Sequence, residues 1–100
     1  MNLILDERFK ISSDKHNYVL EKYEDVEDRK TGEIKKMWKD AGYYGSIEPI
    51  LNRYIKERIR DSEATSVNEL IAELKEIKLH ISDVLKRENI TLEDFQNDSV

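Results

Sequence analysis

Residues 17–44 read NYVLEKYEDVEDRKTGEIKKMWKDAGYY, and this stretch decides the fold. An acidic arm (Glu21, Glu24, Asp25) runs into the turn-like DRKTG and out into a basic arm (Lys35, Lys36, Lys39), the pattern of a β-hairpin whose charges set its own register. Folding the chain about Lys30 places Asp25 opposite Lys35, Glu24 opposite Lys36 and Glu21 opposite Lys39. Opposite charges directly across an antiparallel pair contribute about 0.2–1 kcal/mol each, and like charges there oppose pairing. The same register sets Val26 beside Ile34 and Tyr23 beside Met37.

Upstream, residues 3–11 (LILDERFKI) read as one further strand, ended by SSDKHN, whose Ser, Asp and Asn side chains favour turns. Setting Ser12 opposite Asn17 pairs Ile11 with Tyr18, Phe9 with Leu20 and Arg8 with Glu21. The two hairpins then form a three-stranded meander with side chains alternating between faces. One face collects Leu3, Leu5, Phe9, Ile11, Tyr18, Leu20, Val26, Ile34 and Trp38. The other collects Arg8, Lys10, Glu21, Asp25, Lys35 and Lys39, with Val19, Tyr23 and Met37 among them. Glu7, Lys22, Glu24, Lys36 and Asp40 fall on the apolar face, which calls for marginal positions, mutual pairing or a bulge near Trp38.

Downstream, Gly42 and Gly45 mark a bend, Ser46 is a natural helix cap, and Pro49 fits the first turn that follows. Helix one is expected to run to about Asp61, with Ile47, Ile50, Leu51, Tyr54, Ile55 and Ile59 at helical spacing. Ser66 and Glu69 form a capping box that opens helix two, which continues to about Glu88. There Val67, Leu70, Leu74, Ile77, Ile81 and Val84 make a heptad seam, widened by Ile71 and Leu85. A helix of about 23 residues is ~34 Å long, more than a short three-stranded sheet can cover. The overhang is placed around Ile77, Ile81 and Val84, as the surface through which a homodimer would form. Thr91 caps a possible last turn in which Leu92 and Phe95 fold back. The reading is an α+β fold: a three-stranded antiparallel β-meander followed by two α-helices (βββαα) packed on one face. Residues 1–96 make a single domain with Phe9, Leu20 and Trp38 in its core, and residues 97–100 a frayed tail.

The composition narrows the function. Of 100 residues, 38% are hydrophobic and 39% charged, so the core is lean and gains from dimerisation. A net charge of −5 argues against a general nucleic-acid binder. The chain has no cysteine, which removes disulfides and thiolate metal sites. No apolar run approaches the ~20 residues of a membrane span, and MNLILDERF is too short and too soon acidic for a signal peptide. An intracellular protein without membrane contact is expected.

Catalytic signals are weak. Neither His16 nor His80 is followed at i+4 by a carboxylate or a second His that would make a helical metal pair. Glu24, Asp25, Glu27 and Asp28 lack the order of a calcium loop, and on a strand neighbouring carboxylates face opposite ways. There is no nucleophile elbow and no phosphate-cradling glycine loop. Neither enzyme activity, nor a metal, nor a cofactor is expected. Two binding surfaces remain. Val19, Tyr23 and Met37 with Glu24, Asp25, Glu27 and Asp28 form a candidate protein-binding face. Lys35, Lys36 and Lys39 with Tyr43 and Tyr44 form an alternative strip for single-stranded nucleic acid, with aromatic rings stacking on bases beside cations.

Three segments carry a resemblance: RFKISSDKHNYVL (residues 8–20), a W-x-x-x-G-Y-Y strand end (residues 38–44) and SIEPIL (residues 46–51). Together they resemble small accessory proteins of bacteriophage and prophage genomes, a family to which no activity is assigned. The resemblance covers roughly the first 60 residues, and its motifs are a turn, a strand end and a helix cap, so no functional residue is carried over. It implies a phage-encoded protein in the cytoplasm of the bacterial host. Such genes commonly lie near replication or recombination genes or encode inhibitors of host defence. The expected function is therefore a non-enzymatic protein that binds a host or phage protein, such as an anti-CRISPR-type inhibitor of a nucleic-acid-handling defence complex. The alternative is a replication or recombination accessory factor with weak single-stranded nucleic-acid binding.

Overall fold

The segment LILDERFKI is two strands, not one. In the computed structural model, which describes residues 1–92, Asp6 turns the chain back on itself. Its Oδ1 accepts the backbone N–H groups of Arg8 (2.7 Å) and Phe9 (2.9 Å), and the Leu5 N–H donates to the Phe9 carbonyl at 3.0 Å. The described elements are β1 (Asn2–Ile4), β2 (Phe9–Ser13), β3 (Tyr18–Glu27), β4 (Ile34–Tyr44), α1 (Ile47–Arg60) and α2 (Val67–Arg87). The α+β class and the order of sheet before helices agree with the sequence reading; the sheet has four strands rather than three. The chain divides into two units, Met1–Ile50 and Leu51–Val100.

In the first unit every strand pairs antiparallel with its sequence neighbour, in the order β1-β2-β3-β4. Between β2 and β3 the pairs are Phe9–Lys22, Lys10–Glu21 and Ile11–Leu20, two residues from the expected register. The cause is the turn. The Asp14 N–H donates to the Asn17 carbonyl at 3.0 Å, so only Lys15 and His16 form the loop. A shift of two keeps every side chain on its face, and Leu3, Phe9, Ile11 and Leu20 share one buried side as expected.

Between β3 and β4 the register differs by one, and this has larger consequences. The loop is the four residues 29–32, closed by the Asp28 N–H donating to the Glu33 carbonyl at 2.8 Å. Gly32 takes φ +72°, where a side chain is strained, and Asp28 Oδ1 accepts the Lys30 N–H at 2.8 Å. The fold point therefore lies between Lys30 and Thr31, not on Lys30. The pairs are Val26–Lys35, Asp25–Lys36, Glu24–Met37, Tyr23–Trp38 and Lys22–Lys39. The expected pairs Asp25–Lys35, Glu24–Lys36 and Glu21–Lys39 do not form, and Glu21 and Lys39 lie on opposite faces. Trp38 moves off the face of Phe9 and onto that of Tyr23. The bulge comes at Ala41 rather than near Trp38: Glu21 pairs with Asp40 but Leu20 with Gly42. At Gly42 a Cβ would lie 2.7 Å from the Tyr44 ring, so glycine lets that ring close over the strand.

In the second unit α1 ends at Arg60, close to expectation. Leu51, Tyr54 and Glu57 are buried, as is Ile50 just before the unit boundary. A buried carboxylate needs partners. Glu57 has Arg53 Nε at 2.9 Å and Arg60 at 3.3 Å, while Arg58 donates to the Tyr54 hydroxyl at 2.7 Å. Helix α2 opens on Ser66, whose Oγ accepts the Glu69 N–H at 3.2 Å. The Glu69 carboxylate accepts from the N–H of Thr65 rather than from that of Ser66. The helix closes in a Schellman motif, with Asn89 at φ +57° and the Ile90 N–H donating to the Leu85 carbonyl at 2.8 Å.

The apolar stripe of α2 is covered at the opposite end from that expected. Ile77, Ile81, Val84 and Leu85 are buried, whereas Val67 is 72% exposed and Leu70 and Ile71 are exposed beside it. Ile77, Ile81 and Val84 are thus not available for self-association, and the open end of the stripe is its first turns. The proposed turn with Phe95 and the tail 97–100 lie outside the described residues.

Candidate protein-interaction surface

The β3–β4 register builds a face that the sequence reading divided between two. Residues paired directly across an antiparallel sheet share a face. Tyr23 with Trp38, Asp25 with Lys36, Glu27 with Ile34, Glu21 with Asp40 and Val19 with Tyr43 therefore lie together, and Lys10 joins them through Glu21. The rings of Tyr23 and Trp38 are 5.2 Å apart and tilted by 49°. Lys10 reaches across β3, its Nζ 4.5 Å from the Trp38 ring centroid and 3.9 Å from Glu21. An ammonium over an indole face is attracted by the ring quadrupole, so Trp38 is held from above and from the side.

Further along β4 the Tyr43 hydroxyl donates to Asp40. That bond, and the charge of the carboxylate behind it, hold the Tyr43 phenol above its ordinary pKa of 10. Tyr43 is 59% and Tyr23 37% exposed, and Ile34, at 65%, stands at the other end of the strip. Around these apolar groups Glu21, Asp25, Glu27 and Asp40 outnumber Lys10 and Lys36. The product is a preformed aromatic strip with an acidic rim.

Of the expected protein-binding residues, Tyr23, Asp25 and Glu27 lie on this face, and Val19 lies there but is buried. Met37 and Glu24 are on the other face, and Asp28 is in the turn. The expected nucleic-acid strip is split. Lys36 and Tyr43 lie on the aromatic face, while Lys35, Lys39 and Tyr44 lie on the reverse. Trp38 and Lys10 are the additions. The charge-set register puts Trp38 in the core, one residue from its observed place; alternation alone puts Lys10, between Phe9 and Ile11, outward, and its reach to Trp38 is a property of the folded sheet. Among the described residues no three His, Cys, Asp or Glu side chains are grouped so as to hold a metal ion, and no helix is long and apolar enough to cross a membrane. No family model, curated protein or solved structure matches the chain.

Proposed function

We propose that this chain is a non-enzymatic interaction protein that docks on another protein through the strip Tyr23, Trp38 and Tyr43. The observation that carries the reading is the Tyr23–Trp38 pair, ordered by Lys10 yet open to solvent along its Tyr23 edge. Tyr and Trp are the residues that most often dominate binding energy, because they bring large contact area and lose little rotamer freedom. The acidic rim selects a partner with a basic border and speeds encounter with it. A nucleic-acid-handling host defence complex offers such a border, at the cationic channel that accepts its substrate. With the likeness to phage proteins, this favours inhibition of such a complex, the anti-CRISPR mode.

Affinity purification from host lysate, with the wild type and with Trp38→Ala/Tyr23→Ala as baits, tests the proposal. The wild type should retain a stoichiometric protein that the double variant loses, with affinity down at least about 30-fold if both rings are hot spots. Equal capture by the two baits would count against the strip. Salt-sensitive binding of single-stranded DNA or RNA at micromolar protein, abolished by Lys36→Ala, would instead favour the replication or recombination accessory role.

A further inference from the structure

Strand β4 is 11 residues long and lies at the end of the strand order, with β3 on one side and no strand among the described residues on the other. Which backbone groups point to the open side follows from one hydrogen bond. The Tyr23 N–H donates to the Arg8 carbonyl at 2.8 Å, so the backbone groups of Glu21 and Tyr23 face β2. Those of Lys22, Glu24 and Val26 then face β4, and their hydrogen-bonded partners there are Lys39, Met37 and Lys35. Alternation leaves the N–H and C=O groups of Lys36, Trp38 and Asp40 directed away from the sheet. The side chains of these three residues share the aromatic face, where Lys36 and Asp40 are exposed.

An edge of this kind is a template for another strand. We propose that a second copy of this chain occupies it, β4 against β4, antiparallel about a twofold axis at Trp38. Lys36 of each copy then faces Asp40 of the other, and the two Trp38 side chains meet at the axis. All three pairs match outward-facing residue to outward-facing residue, as antiparallel hydrogen bonding requires. On the reverse face Met37 meets Lys39. Neighbouring registers that satisfy the backbone fail on charge. Sliding by two residues opposes Lys35 to Lys39 one way and Lys39 to itself the other. Sliding by four opposes Lys36 to itself or Asp40 to itself. Lysines on an edge normally discourage pairing; here they admit one register and reject the rest. The inference stands whether or not the aromatic strip binds a different protein. In the dimer the two strips meet across the axis.

The experiment is sedimentation of the whole chain at micromolar concentration, with Lys36→Asp and Asp40→Lys as the variants and circular dichroism as the check on folding. The wild type should sediment as a dimer of the 11.9 kDa chain. Each single variant opposes like charges on both sides of the axis and should weaken the dimer by about tenfold or more. An equimolar mixture of the two variants restores both opposite-charge contacts and should sediment as a heterodimer. That rescue also excludes misfolding as the reason the single variants dissociate. A monomeric wild type overturns the proposal. So does a dimer unchanged by either substitution, which would place the contact elsewhere, or a mixture that stays monomeric.

Discussion

Asp6, Asp14 and Asp28 each open a hairpin turn, and each carboxylate accepts the N–H two residues on, from Arg8, His16 and Lys30 at 2.7–2.8 Å. A short acidic side chain can imitate a backbone turn in this way, so the same residue type sets the position of every reversal in the sheet. At Asp14 the N–H groups of His16 and Asn17 both stabilise the ionised carboxylate and hold its pKa below the ordinary value. A depressed carboxylate contributes stability above its unfolded pKa, and that contribution is lost as pH falls through the folded value. NMR titration should therefore find Asp14 ionising below about 3.9, and Asp14→Asn should remove that part of the acid sensitivity. Tyr43 works in the opposite sense. Its pKa is raised because its hydroxyl donates to Asp40, so the bond contributes at pH values below the unfolded pKa and is lost as pH rises through the folded one. Asp40→Asn should bring Tyr43 back towards about 10, read as ultraviolet absorbance of the phenolate. An unmoved titration would mean that Asp40 is not the cause.

At the level of elements, the charged arms of the β3–β4 hairpin were legible but degenerate. Glu24 and Asp25 are adjacent, as are Lys35 and Lys36, so sliding by one residue still sets Asp25 against a lysine. The turn decides between the registers, and the αL conformation of Gly32 with four loop residues is a property of the backbone that a charge count does not contain. A one-residue difference in register exchanges the faces of all of β4 up to its bulge, and so puts Trp38 beside Tyr23 instead of in the core. The β2–β3 error of two residues was harmless for the same reason. In α2 the full apolar stripe was legible from its spacing, but which half is covered depends on tertiary structure, which periodicity does not report. The two halves should answer differently to truncation. Ile81→Ala should cost about 2–5 kcal/mol and Leu70→Ala less than about 1 kcal/mol in thermal or urea unfolding. Equal losses would contradict the observed burial.

For the whole molecule, the α+β class and both helices followed from caps and periodicity, while the fourth strand depended on one aspartate turn inside an apolar run. The candidate surface was half legible: Tyr23 was placed outward by alternation, and its partner ring was not. The neighbour-only strand order has a kinetic consequence. Each strand pairs only with its neighbour in sequence, although the far end of the β3–β4 ladder joins Tyr18 to Tyr44; pairings that start from short turns hold contact order down, and low contact order goes with fast folding. Hairpins of this kind close in about 1–10 μs, so formation of the β3–β4 turn at Gly32 rather than a search for distant partners should govern the rate. Gly32→Ala should accordingly slow refolding more than it speeds unfolding, as read from the two arms of a stopped-flow chevron. All four strands also precede both helices in the chain. During synthesis, which adds about 5–20 residues per second, a nascent chain released as far as Tyr44 already holds all four described strands. It can zip those hairpins seconds before α2 leaves the ribosome.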